Sequence, residues 1–332
     1  MRHFLLGMAT VVAAAILVPS VSAAAEPLRQ AAAHKQLNVL FIGNSFTGCH
    51  NLAQVVKAMA EAGDPTLRFN VTTVLYGGRR LVDHWRLGTP NFVRISELTA
   101  AEEQATVDAL AEMVAKDPKD KYARAALARH LELSKSLESS RKKWDIVVLQ
   151  SYRDDLEGDK SLYAEYAPKF AELIKAQGGR VLLYETTPTT QNSKPLTAPP
   201  NPAPVTGKAK TIAALADRIG ATVVPMSLVA LRCQTVRPEL PLRYVSDSHL
   251  NQTMGYLTAC TFYAAVFNRS PEGLPIDTVD DNRDKNGKPS AKDPDGGPLK
   301  RTFSARDRAD LQRIAWEGLQ QFQQLATSAS QR

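Results

Sequence analysis

A hydroxyl group becomes a nucleophile only when a base can take its proton and donors can receive the charge developing on the attacked oxygen. Ser45 is the hydroxyl best placed for this. It stands in "IGNSFT" (42–47), one turn past the apolar run "LNVLFIG" (37–43) and just ahead of a helical pattern. A turn there either reverses the chain or displays a serine at a sheet edge, and serines and asparagines at strand ends are commonly turn formers or helix caps. The base would be a histidine. Of six, His3 lies in an apolar leader, His34 in the lead-in to the first run, and His130 among helices where a solvated face is expected. His50, His84 and His249 remain, all near predicted loop edges. No two histidines stand four apart and no Cys/His cluster exists, so neither a metal nor another cofactor is expected.

Such residues need a frame. The runs at 37–43, 67–76, 144–150, 180–185 and 221–227 read as buried strands. Leu52, Val55, Val56 and Met59 recur at helical spacing before Gly63, and further helices are predicted near 162–176, 205–219 and 253–267. Leu311, Ile314, Ala315, Phe322 and Leu325 mark a final amphipathic helix. Strands alternating with helices predict an α/β fold: three α/β/α layers around a flavodoxin-like parallel sheet of about five strands. Ligands of such sheets sit at the carboxyl ends of the strands, the edge on which Ser45 falls. An insertion at 91–143 opens on a capping box, Thr99 and Glu102, and reads as two helices broken at "KDPKD", a hairpin capping or flanking the site. Stretches 186–207 and 280–298 are Pro/Gly/Asn-rich loops without a core-forming pattern.

Three blocks, in order, resemble the SGNH or GDSL-type hydrolase superfamily: "IGNSFT", "YGGRRLVDHW" (76–85) and "YVSDSHLNQTMGYLTACTFYAAVF" (244–267). The resemblance implies Ser45 as nucleophile and His249 as general base. It also implies an oxyanion hole built from the Ser45 N–H and a glycine N–H, from Gly78 or alternatively Gly77. Two features depart from the family. Its third block carries Gly-x-Asn-Asp, whereas the third run here ends "VVLQSYRDD", so Gln150 is the expected substitute donor. Its acid stands three residues before the histidine, where this chain has Ser246; Asp247 stands two before. Either the turn differs so that Asp247 reaches the ring, or a backbone carbonyl orients it in a Ser–His dyad. Asn44 replaces the family's Asp. Asn44, Arg79 and Tyr152 are the expected substrate contacts, with Arg80, His84 and Arg153 around the mouth and Thr47 bracing the turn. The implied activity is hydrolysis of short acyl esters, with O-acetyl on a carbohydrate the expected substrate. A lipase or thioesterase of the same fold, or a catalytically silent glycan-binding scaffold, stays open.

Composition sets the surroundings. Met1-Arg2-His3, the apolar Phe4–Val18 and the small residues of "SVSAAAE" read as a secretory signal over residues 1–25, leaving 26–332 as a single domain in a secreted or periplasmic protein. No later run approaches the roughly 20 apolar residues of a membrane span. A net charge of +7 on an exported chain argues against nucleic acid and points to an acidic polymer or the cell envelope. Cys49, Cys233 and Cys260 could supply one disulfide and one odd thiol in an oxidising compartment.

Overall fold

Alternate residues of the first strand serve opposite faces. Val39 and Phe41 enter one apolar core while Leu40 and Ile42 enter another, and all four are buried. Continuous apolar runs arise because a parallel strand is covered on both sides. The computed structural model describes residues 35–152, 156, 161–186, 191–280 and 291–330; the expected leader and Arg153 lie outside them. Along the chain run β1 (Lys35–Gly43), α1 (Ser45–Gly48), a 3-10 turn (Cys49–Asn51), α2 (Leu52–Gly63), β2 (Leu67–Leu75), α3 (Leu81–Arg86) and α4 (Thr89–Val93). Then follow α5 (Ala100–Lys116), α6 (Lys121–Ser140), β3 (Ile146–Leu149), α7 (Leu162–Ala176), β4 (Arg180–Glu185), α8 (Ala203–Ile219), β5 (Thr222–Pro225) and α9 (Met226–Val236). The chain closes with α10 (Gln252–Phe267), β6 (Thr278–Asp280), β7 (Lys300–Thr302) and α11 (Ala305–Ser330).

The first five strands are parallel, in the order β2-β1-β3-β4-β5. The winding direction reverses between β1 and β3, and a crevice opens at the carboxyl ends of strands at such a switch point. Ser45 follows β1 directly, so topology alone sets it there. On one face α2, α9, α10 and α11 pack against Val39, Phe41, Val148, Tyr184 and their neighbours. On the other, α3, α7, α8 and the inserted helices cover Leu40, Ile42, Val147 and Leu183. Helix α10 is buried on every side, and its Phe262 sits 5.7 Å from the ring of Phe41 and 5.0 Å from that of Tyr184. Emptying such a position typically costs about 3–5 kcal/mol. No described helix is long and apolar enough to cross a membrane.

Four expectations change. The fifth run stops as a strand at Pro225, because Met226–Val236 is helical; the Glu185 side chain accepts the Ser227 N–H at 3.0 Å and also its hydroxyl at the first turn of α9. The 186–207 loop gives way to α8 at Ala203, with a proline in its first turn where a missing N–H costs nothing. His130 is not solvated. It lies on the inner stripe of α6 with Ala123, Ala126, Leu133 and Leu137, fully buried, its Nδ1 2.8 Å from Glu103 Oε1. Cys49, Cys233 and Cys260 are all buried and no disulfide joins any two of them; burial pushes the Cys233 thiol up to about 12.

Candidate active site

Gly43 ends β1 where no side chain fits: a Cβ there would stand 2.5 Å from both Gln150 Oε1 and Thr47 Oγ1. The chain then turns into α1, capped by Asn44, whose Oδ1 accepts from the Phe46 N–H at 3.0 Å. Its Nδ2 donates to the carbonyls of Arg79 at 3.0 Å and Ser151 at 3.2 Å. One buried side chain thus ties together the loops that follow β1, β2 and β3. The Thr47 hydroxyl and the Asn44 N–H both donate to Gln150 Oε1, at 3.0 and 2.8 Å. Ser45 opens α1, partly buried, and no described residue accepts a hydrogen bond from its N–H, as expected of a first-turn amide.

The histidine arrives on the loop between Arg243 and Leu250, which pair as an isolated antiparallel bridge. Asp247 folds back over the next two residues, and its Oδ1 accepts the His249 N–H at 3.0 Å and the ring Nδ1–H at 2.6 Å. The first bond is an Asx turn. It explains how an acid two residues before the histidine reaches the ring without a longer loop. Because the carboxylate accepts at Nδ1, the proton is on that nitrogen and Nε2 is bare. Nε2 lies 2.8 Å from Ser45 Oγ and accepts its hydroxyl proton. The imidazole and carboxylate keep 29% and 12% of their surfaces exposed, so the chain of bonds is open to a substrate from one side.

At the end of β2 the Tyr76 N–H donates to the Gly43 carbonyl at 3.0 Å, and the Arg79 N–H closes a turn onto Tyr76 at 3.1 Å. Gly78 sits at the third position of that turn with φ +68°, the signature of a type II turn. No atom lies within 4 Å of a Cβ built on Gly77 or Gly78, so the turn borders open space beside the Ser45 loop.

Three residues do otherwise than their sequence assignment. Gln150 is fully buried; the Asn44 N–H and Thr47 hydroxyl fix its oxygen, and its Nε2 donates to the Ser151 carbonyl. It braces the serine turn from a position with no exposed surface. Asn44, 1% exposed, is spent on the same bracing. His84 is absent from the mouth: it is buried, with Nε2–H donating to the Gly43 carbonyl at 2.9 Å and Nδ1 accepting from the Thr89 hydroxyl at 3.1 Å. Burial holds its imidazole down at about 4, and hence neutral. Arg79 lies partly buried with its guanidinium 4.3 Å over the Tyr122 ring, Arg80 is exposed at the start of α3, and Tyr152 is exposed.

Two residues were not singled out from sequence. Asp295 accepts the Val245 N–H, the Ser246 N–H and the Ser246 hydroxyl, each at 2.8 Å, and so staples the start of the histidine loop. Burial opposes its ionisation, but those three bonds hold its carboxyl below the usual range. Its signal was the "DPDGG" turn, which reads as local punctuation until the fold is closed. Tyr122, at the start of α6, donates its hydroxyl to the Gly77 carbonyl at 2.7 Å, and nothing in its neighbourhood announces that partner.

No protein-family model and no curated protein matches the chain. A solved structure from Slackia heliotrinireducens, provisionally described as an SGNH hydrolase, is similar to 70% of this chain and 100% of its own, with 16% identity and a TM-score of 0.41. A crystal structure of TesA is similar to 70% of this chain and 98% of its own, with 13% identity and a TM-score of 0.37. The five-stranded parallel sheet between helical layers is the fold that the three sequence blocks imply.

Proposed function

We propose that this chain is an exported SGNH-type serine esterase that removes short acyl groups, O-acetyl foremost, from a carbohydrate. The observation that carries the reading is the unbroken chain Ser45 Oγ to His249 Nε2 to Asp247, at 2.8 and 2.6 Å, on the carboxyl edge of the sheet. Ser45 attacks the ester carbonyl while His249 takes its proton, and Asp247 holds the tautomer and steadies the imidazolium that forms. The Ser45 and Gly78 N–H groups receive the oxyanion. His249 returns the proton to the leaving alcohol, then draws one from the water that releases the acyl group. All of this runs on side chains and backbone amides alone.

Export rests on the leader sequence, and the carbohydrate on the polar residues of the loops after β2 and β3, where Arg80 and Tyr152 are exposed and Arg79 is partly buried. Treatment of the purified mature protein with a fluorophosphonate, the adduct mapped by mass spectrometry, tests the core of the reading. Adduct on Ser45, absent after Ser45→Ala, is the expected result. A folded protein that takes no label would move the reading to a silent glycan-binding scaffold.

A further inference from the structure

The helical insertion reaches the oxyanion turn at one atom. The Tyr122 hydroxyl donates to the Gly77 carbonyl at 2.7 Å, while its ring carries the Arg79 guanidinium at 4.3 Å. Gly77 C=O and Gly78 N–H belong to the same peptide unit, and no peptide bond described is cis. In a trans peptide the two groups point in opposite directions. A donor that holds the carbonyl toward α6 therefore holds the Gly78 N–H away from it.

This matters because the turn has a near-degenerate alternative. Types I and II differ by rotation of the central peptide, here Gly77–Gly78, about its flanking bonds. Glycine at both central positions removes the side-chain cost that would decide between them. Gly78 is in the type II form, with φ +68°. A flip would turn its N–H to the far side and present a carbonyl oxygen in its place, repelling an oxyanion.

We infer that Tyr122 is a positioning residue that locks the Gly77–Gly78 peptide in the orientation needed for the oxyanion donor. The inference rests on the reading of Gly78 as that donor. Tyr122 touches no reacting atom; it acts through the peptide, and so belongs to rate and not to binding. The bond is exposed enough for water to compete, which limits its weight to that of one hydrogen bond.

The test compares wild type with Tyr122→Phe, which keeps the ring and its stacking on Arg79 and removes only the hydroxyl. Hydrolysis of p-nitrophenyl acetate is measured per active site, titrated with a fluorophosphonate, so that misfolded protein is not counted. Expected is a fall in kcat of about three- to tenfold, the worth of one hydrogen bond, with KM unchanged and the Gly78 amide resonance displaced. Wild-type kcat in Tyr122→Phe, or a fall in kcat with the Gly78 amide resonance unmoved, overturns the inference. Absence of Ser45 labelling in wild type ends the esterase reading, and this inference with it; labelling with an unchanged kcat in Tyr122→Phe ends this inference alone.

Discussion

At the scale of single residues, the site divides into groups that touch the substrate and groups that hold them. Asp247 Oδ1 takes two bonds, one from the His249 backbone and one from its ring. Asp247→Asn keeps an oxygen for both and loses the charge that steadies the imidazolium. It should lower kcat by about a hundred- to ten-thousandfold, less than His249→Ala, which removes the base itself. Activity of Asp247→Asn equal to wild type, measured on the same acetate ester, would instead mean a Ser–His dyad. Gln150 gives a sharper contrast. Gln150→Leu buries the Asn44 N–H and the Thr47 hydroxyl without their shared acceptor, at about 1–3 kcal/mol for each group left unsatisfied. A drop in the denaturant midpoint accompanying the lost activity is the expected outcome. A fully stable variant that loses only kcat would return Gln150 to the oxyanion hole.

At the scale of elements, catalytic geometry depends on loops that meet only in the folded chain. The 291–297 segment is held by Asp293, which accepts the Asp295 N–H at 3.0 Å and the Gly297 N–H at 2.6 Å, and presents Asp295 to the histidine loop. Asp295→Ala frees Val245 and Ser246, so His249 samples positions off the Ser45 line. Activity should fall about tenfold or more while far-ultraviolet circular dichroism stays unchanged. An unaltered kcat/KM would show that the Asx turn at Asp247 suffices. The same dependence decides what could be read from sequence. Strands β1 to β5, the Ser45 turn and His249 were legible because each is encoded locally, by an apolar run, a glycine or a short block. Asp247 was legible as a candidate, but its reach follows from an Asx turn that a spacing rule copied from relatives does not contain. The bracing role of Gln150 was not legible because the orientation of its carboxamide is fixed by Asn44 and Thr47 from another strand's loop, more than 100 residues away. His130 was misplaced for a different reason. Its stripe with Ala123, Ala126, Leu133 and Leu137 was present at helical spacing, but three of the five residues are not large apolar groups.

At the scale of the whole molecule, one buried base links the site to acid stability. His84 joins α3 to the last residue of β1, and its imidazole is held at about 4 against an ordinary 6.5, chiefly by burial, with only partial relief from the Gly43 carbonyl. A depressed base binds fewer protons folded than unfolded between these values, so stability rises with pH across that window. The contribution is whole above about pH 6.5 and is lost as pH falls toward 4, an effect of roughly 3 kcal/mol. Carboxylates act lower. Glu102, held at about 2 by the Thr99 backbone and hydroxyl and by Arg94, keeps its ion through the histidine window. The two can therefore be separated by pH. Denaturant unfolding of wild type should weaken steadily between pH 7 and 4. His84→Gln, whose amide can still donate to Gly43 but does not titrate, should start less stable and lose that slope. An equal slope in both proteins would place the acid sensitivity in groups other than His84.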